Sequence, residues 1–288
     1  MQIVTDSGTD AHLARDEKLQ GMHVIPLNVT LEGITYQEGI NIEKEDFYKL
    51  LDNSENLPIT SQPSPGDFAA IYREIAKKDP DILSIHISSG LSGTINSAIN
   101  AVGMVPEANI TVIDTKTLSV GAGWQVAAAA KAVRAGWPKE KIVDWVSQIR
   151  DATHTVFTLK ELKYLIHGGR ISHIKGLLAS ILDIKPIIGV NLEKGNYEQL
   201  GQARSFNKAI DNLVNLMEKH VKAGEKIAAQ VVHAMNLEGA DMLKEKVSKV
   251  FDCQWLPIGP MSLVLGAHTG RSMIGICYTP ADMLTLPG

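Results

Sequence analysis

The sequence predicts an α/β protein in two parts, an N-terminal parallel-sheet α/β domain followed by a C-terminal α+β domain. In the first half, short apolar runs alternate with helical stretches through polar or glycine turns, the pattern of a parallel sheet covered on both faces. In the second half, two strand-like runs are joined by Leu192-Glu193-Lys194-Gly195-Asn196, a hairpin that an all-parallel sheet does not contain. Hydrophobic residues make up 44% and charged residues 21% of the 288. That composition supports ordinary packed interiors in about two domains of about 150 residues each. We place the boundary near residue 160, giving domains 1–160 and 161–288, although no Pro/Ser-rich linker marks it.

The elements follow in order. Ile3-Val4 runs into the turn Thr5-Asp6-Ser7-Gly8. Ser64, Pro65 and Asp67 form a helix start, with a hydroxyl cap, proline in the first turn and a carboxylate at the third position. Phe68, Ile71 and Ile75 continue that helix, so Thr60 and Ser61 fall just ahead of its N-terminus. Ile82 to Ile87 reads as a strand, followed by Ser88-Ser89-Gly90-Leu91-Ser92-Gly93-Thr94 and a helix near 94–104. Ile110 to Ile113 is the next strand and 120–134 the next helix. Thr155 to Thr158 is a strand, and Leu162 to His167 is a helix ending in Gly168-Gly169, which puts Arg170 on an exposed bend. Ile184 to Asn191 and Tyr197 to Ala203 form the hairpin, and helical periodicity follows from Phe206 to Val221. Ile227 to Val232 is a buried strand, and Leu237 to Val250 is a further helix. Gly266-Ala267-His268-Thr269-Gly270, with glycine at both ends, reads as a flexible segment before the final strand.

The charge balance narrows the functional classes. Twenty-eight Lys+Arg against 32 Asp+Glu leaves a net charge of −4, which argues against a nucleic-acid partner. Cys253 and Cys277 cannot build a metal cage alone, and no histidine pair has zinc-ligand spacing, so no metal is expected. No basic, apolar signal-like stretch is seen at the start and no apolar run approaches a membrane span. A reduced, cytoplasmic setting is the expectation.

Ligands of parallel sheets collect at the carboxyl ends of the strands, which directs attention to the turns. The Ser88–Thr94 turn leaves a strand and opens a helix, so backbone N–H groups, Ser92 and the helix dipole can converge on an anion. It is neither a nucleophile elbow, which needs glycine where Thr94 stands, nor a P-loop, which needs a lysine. Gly121-Ala122-Gly123 lacks the third glycine of a dinucleotide fingerprint. Thr60 and Ser61 offer hydroxyls, and the Thr5-Asp6-Ser7 turn ends a strand in the same region. Arg204, at the end of the hairpin, is a candidate partner for a buried carboxylate, and His268 is poised either to face a ligand or to pack. His86, His154, His220 and His233 read as structural or solvated.

Taken together, Val4-Thr5-Asp6-Ser7, Thr60-Ser61-Gln62-Pro63-Ser64-Pro65, Ile87 to Thr94, Leu165 to Ile171, Lys185-Pro186-Ile187 and Gly266 to Gly270 resemble the DegV family of bacterial fatty-acid-binding proteins. The resemblance implies two domains with a long-chain fatty acid such as palmitate held between them. It also implies that the chain is no enzyme itself but the acyl-presenting subunit of a fatty acid kinase. A separate ATP-dependent subunit would then phosphorylate the carboxylate. By the same resemblance Thr60 and Ser92 bind the carboxylate, with Ser61 and the Gly93 N–H nearby. His268 and Arg204 close the head-group site, and Arg170 engages the kinase. Family members often carry Gly-Lys-x-Arg-Thr where this chain has Gly201-Gln202-Ala203-Arg204-Ser205. No cofactor is implied beyond the bound lipid, and transient contact with a membrane surface fits its exchange.

An apolar tunnel is then required, with Ile25, Leu27, Phe157, Leu177, Leu178, Ile181 and Leu182 as candidate walls. Two rivals are a serine acyl hydrolase or transferase with Ser92 as nucleophile and His268 as base, and a small-molecule sensor on the same fold.

Overall fold

Successive strand residues point to opposite faces, and β1 (Gln2–Asp6) buries Ile3 and Val4 in two different apolar clusters. The structure, a computed structural model, describes residues 1–14, 22–171, 184–222 and 224–287. Short 3₁₀ turns at Ser7–Thr9 and Ala11–Ala14 precede β2 (Met22–Ile25).

A small antiparallel sheet comes next, which the sequence analysis does not anticipate. β3 (Asn28–Leu31) pairs with β4 (Ile34–Gln37) and, beyond helix α1 (Lys44–Asn53), with β5 (Ile59–Ser61). Thr60 and Ser61 therefore sit on a strand, where the sequence suggested a turn directly ahead of a helix. Helix α2 (Pro65–Ala76) begins as the residues dictate: Ser64 Oγ accepts from Asp67 N–H, and the Asp67 carboxylate accepts from Ser64 N–H.

β6 (Asp81–His86), α3 (Thr94–Val102) and β7 (Asn109–Asp114) complete the first lobe. Its sheet has the order β2-β1-β6-β7, parallel throughout. Helices α2 and α3 cover one face, where Val4, Phe68, Tyr72, Ile82 and Ala98 pack together. Helix α4 (Ser119–Arg134) covers the other, with α5 (Lys139–Ala152) beside it.

The second lobe contains β8 (His154–Thr158), α6 (Lys163–His167), β9 (Lys185–Val190), β10 (Tyr197–Ala203) and α7 (Phe206–Met217). β11 (Ile227–His233), α8 (Leu237–Ser248), β12 (Cys253–Trp255), β13 (Gly259–Pro260), α9 (Leu263–Thr269) and β14 (Ile274–Pro280) follow. The sheet order is β10-β9-β8-β14-β11-β12, with β13 also on β11. β9 and β10 form the expected antiparallel hairpin, and Gly195 takes the positive φ of its turn.

β8 lies between β9 and β14. A cut at residue 160 would separate it from its own sheet, so the change of sheet falls between β7 and β8. Helices α7 and α8 pack one face through Ile210, Leu213, Leu243 and Val247, and α4 and α5 meet the other.

Helix α4 thus lies between the two lobes. A Cβ on Gly121 would stand 2.8 Å from Thr155 Oγ1, and one on Gly123 would stand 2.7 Å from the Thr9 carbonyl oxygen. The glycines of the Gly-Ala-Gly run serve this close approach. Trp124 of the same helix donates Nε1–H to Gln230 Oε1 at 2.8 Å, which ties α4 to β11.

Candidate functional site

The carboxyl ends of β1 and β6 are locked by one buried carboxylate. Asp6 accepts from Gly8 N–H at 2.9 Å and Ile87 N–H at 3.0 Å, and it faces His86 Nδ1 at 2.9 Å. Ser7 Oγ accepts from Leu27 N–H at 3.0 Å. The Thr5-Asp6-Ser7 turn does not itself line the hollow described next; it fixes Ile87 and Leu27, which do.

That hollow, about 30 Å³, lies between the lobes and gathers Thr60, Ser61, Gln62, Ser92, Arg170 and His268. β5 supplies the first two and Gln62 follows it, the turn after β6 supplies Ser92, and the second lobe supplies the last two. Among the described residues no acidic side chain lines it. A second, almost wholly apolar hollow of about 20 Å³ shares Leu118, Tyr197 and Leu265 with it. The two form a slot with a polar mouth and an apolar interior.

His268 sits in the last turn of α9 and is 8% exposed. This corrects the expectation of a flexible segment: α9 is a packed helix. Gly266 gives room to the Tyr48 hydroxyl, and Gly270, at φ 68°, ends the helix against the Tyr164 ring. His268 Nε2 lies 2.8 Å from Thr60 Oγ1. Its Nδ1 is buried without a hydrogen-bond partner and faces Gly168, where a Cβ would stand 2.1 Å away.

Burial first, then the electrostatic influence of Arg170 and of the neighbouring His167, push the His268 pKa down to about 3. The ring is therefore neutral and carries one N–H. An orphaned buried N–H is rarer than an orphaned acceptor, which assigns the proton to Nε2. His268 then donates to Thr60 Oγ1, and the Thr60 hydroxyl proton is left to donate into the hollow.

Ser92 Oγ accepts from Thr94 N–H at 3.2 Å and shares a 2.8 Å hydrogen bond with Thr94 Oγ1. It is not hydrogen-bonded to His268, whose partner is Thr60, so the nucleophile–base pair of the hydrolase alternative is not assembled. Gly93 caps α3 without lining the hollow; a Cβ on it would stand 3.0 Å from Gln62 Nε2, which does line it.

The structure places the two arginines differently from the sequence expectation. Arg204 is exposed, one residue past β10, and is not among the lining residues. Arg170 is half-buried and lines the mouth, where it donates Nη1–H to the Gly168 carbonyl. Gly169, just before it, takes φ 73°, and Arg170 lies close enough to His268 to act on it electrostatically.

Of the tunnel candidates, Leu27 lines the mouth and Phe157 the interior. Ile25 belongs to the core under α2. Leu177, Leu178, Ile181 and Leu182 lie outside the described residues. Sequence reading missed Leu118, Tyr197, Val264 and Leu265. Leu118 had a usable signal, since it follows the carboxyl end of β7 just as Ser92 follows that of β6. A wider open cleft beside α6 holds Asp52, Glu161, Lys163 and Arg271, but these charges pair with one another.

Known proteins align with this architecture along its whole length. The family model described as Uncharacterised protein, DegV family COG1307 matches residues 1–281. A DegV domain-containing protein of Staphylococcus aureus strain MRSA252 is 37% identical over 275 residues, covering 95% of this chain and 96% of the other. Among solved structures, a fatty-acid-binding DegV family protein from Thermus thermophilus superposes with a TM-score of 0.86 at 28% identity, covering 97% of this chain and 99% of that one. A stearic-acid-binding protein from Eubacterium ventriosum gives 0.86 at 26% identity, covering 99% and 100%. With a family model spanning nearly every residue and relatives matched end to end, this chain belongs to the DegV family.

Proposed function

We propose that this protein binds a long-chain fatty acid such as palmitate in the inter-lobe slot and presents its carboxylate to a separate ATP-dependent kinase subunit. One observation carries the binding half of this reading: a mouth with hydroxyl and guanidinium donors and, among the described residues, no carboxylate opens into an apolar interior. A carboxylate entering a protein loses hydration and must be met by several donors or a cation. Thr60, with Ser92 and Arg170, provides them. An acyl chain of about sixteen carbons gains about 0.8 kcal/mol per buried methylene, about 12 kcal/mol before the costs of binding. The fatty acids held by the Thermus and Eubacterium relatives agree with this ligand class.

The kinase role rests on the family resemblance, and the position of the mouth supports it. A carboxylate held there stands beside the half-buried Arg170, where an incoming phosphoryl donor can reach it. The reading asks for no metal or cofactor on this chain; ATP comes with the partner subunit. It also places the protein in the cytoplasm, with brief membrane contact for lipid exchange.

The binding half is tested by denaturing the purified protein and analysing the organic extract by mass spectrometry. Stoichiometric fatty acid is expected; its reproducible absence, with no uptake of added palmitate or oleate, rejects the reading. Ester hydrolysis together with labelling of Ser92 by an active-site serine probe would favour the hydrolase instead.

A further inference from the structure

We propose that Met261 and Met273 form an adjustable end wall of the slot, seated by Gly275, and that this wall selects the acyl chain by length. The inference rests on the fatty-acid reading and specifies what that site discriminates. Both methionines line the inner hollow and neither lines the mouth. Both are buried in the cluster that joins the two lobes.

Besides Tyr197, which the interior shares with the mouth, three hydroxyl residues line the interior, and each turns its polar atom elsewhere. Ser119 Oγ donates to Asp10 Oδ2 at 2.6 Å, Thr269 Oγ1 donates to the Leu265 carbonyl at 3.0 Å, and Thr155 Oγ1 is bonded to Thr117 Oγ1 at 3.0 Å. Beyond Tyr197 a chain in the slot therefore meets carbon, and discrimination along it is a matter of shape and length.

Gly275 fixes where the wall stands. A Cβ there would lie 3.1 Å from Met273 Cε, 3.0 Å from Phe157 Cβ and 3.1 Å from the Val156 carbonyl oxygen. The missing side chain is the seat of the Met273 methyl group. Methionine has three rotatable side-chain bonds and repacks readily, so a wall of two can shift where a branched side chain would hold one position.

The test measures affinity of the delipidated protein for straight-chain saturated acids of about twelve to about twenty carbons. Each methylene gained or lost is worth about a four-fold change in relative affinity. Met273→Ala and Met261→Ala should move the preferred length upward, and Gly275→Ala should move it downward. Met273→Leu, of similar volume but stiffer, should keep the preferred length and narrow the range accepted.

The ranking is a ratio within each variant, so a general loss of stability does not imitate the effect. If both alanine variants at the methionines bind acids with the wild-type ranking, the end wall lies elsewhere and the inference fails while the lipid reading stands. If the wild-type protein binds none of the acids, both fail together.

Discussion

At the scale of single residues, the site turns on which atom carries a proton. A neutral His268 that donates from Nε2 makes Thr60 a donor to the ligand. Replacing the Thr60 hydroxyl by a methyl group in Thr60→Val, together with Ser92→Ala, should weaken fatty-acid affinity by about 1–3 kcal/mol and leave the fold intact. Unchanged affinity in a lipid titration would show that these hydroxyls do not hold the carboxylate. Asp10 offers a second test at this scale. It is fully buried, accepts from Ser119 Oγ and from Ser262 N–H, and lies near Lys44 and Glu38. Burial raises its pKa from 3.8 to about 7, with Lys44 opposing. The folded state thus holds this proton more tightly than the unfolded chain. The associated stability is fully present below pH 3.8 and is lost as pH rises through about 7, an effect of order 4 kcal/mol. Asp10→Asn should remove that slope, so its stability relative to wild type rises between those two pH values. Parallel urea-denaturation curves for the two proteins across the range would contradict the assignment.

At the scale of elements, local chemistry and close packing make separable demands. The Ser64–Asp67 capping box starts α2 on the residues that follow Thr60 and Ser61. Ser64→Ala should cost about 1 kcal/mol in a urea-denaturation measurement. Gly123→Ala should cost more, about 1–3 kcal/mol, because its Cβ would meet backbone atoms of Thr9 and Ala11 that have nowhere to go. An equal or smaller loss at Gly123 would mean that α4 can slide between the lobes. The capping box was legible from four letters of sequence. The tight seat of Gly123 was not, because the atoms it avoids belong to a turn more than a hundred residues away.

At the scale of the whole molecule, the slot is built by both lobes, so occupying it should hold them together. A ligand that binds only the folded state stabilises it by about 2.7 kcal/mol at a hundred-fold excess over Kd. Palmitate should therefore raise the melting temperature measurably, while methyl palmitate, which presents no carboxylate, should raise it less. Equal shifts would mean that the mouth contributes nothing to recognition. Arg170 belongs to this scale because it lines the mouth from the second lobe. Arg170→Ala should lower fatty-acid affinity as well as acyl-phosphate formation with the proposed kinase subunit; loss of phosphorylation alone would return it to a purely partner-facing role.

By itself, the sequence determined the elements whose causes are local. Period-two and period-3.6 hydrophobicity mark the strands and helices, Ser64-Pro65-Gly66-Asp67 starts a helix, and Gly195 turns a hairpin. It also singled out Thr60, Ser92 and His268, which the structure brings to one hollow. The tertiary structure decided everything that depends on neighbours distant in the chain. It took Arg204 out of the site and brought Arg170 in, made a buried helix of the segment around His268, and moved β8 into the second sheet. It also built the slot from Leu118, Tyr197, Met261 and Met273. A strand's hydrogen-bonding edge, an arginine's direction beyond a glycine and the seat of a methionine are set by packing across the lobes, and no spacing along the chain encodes them.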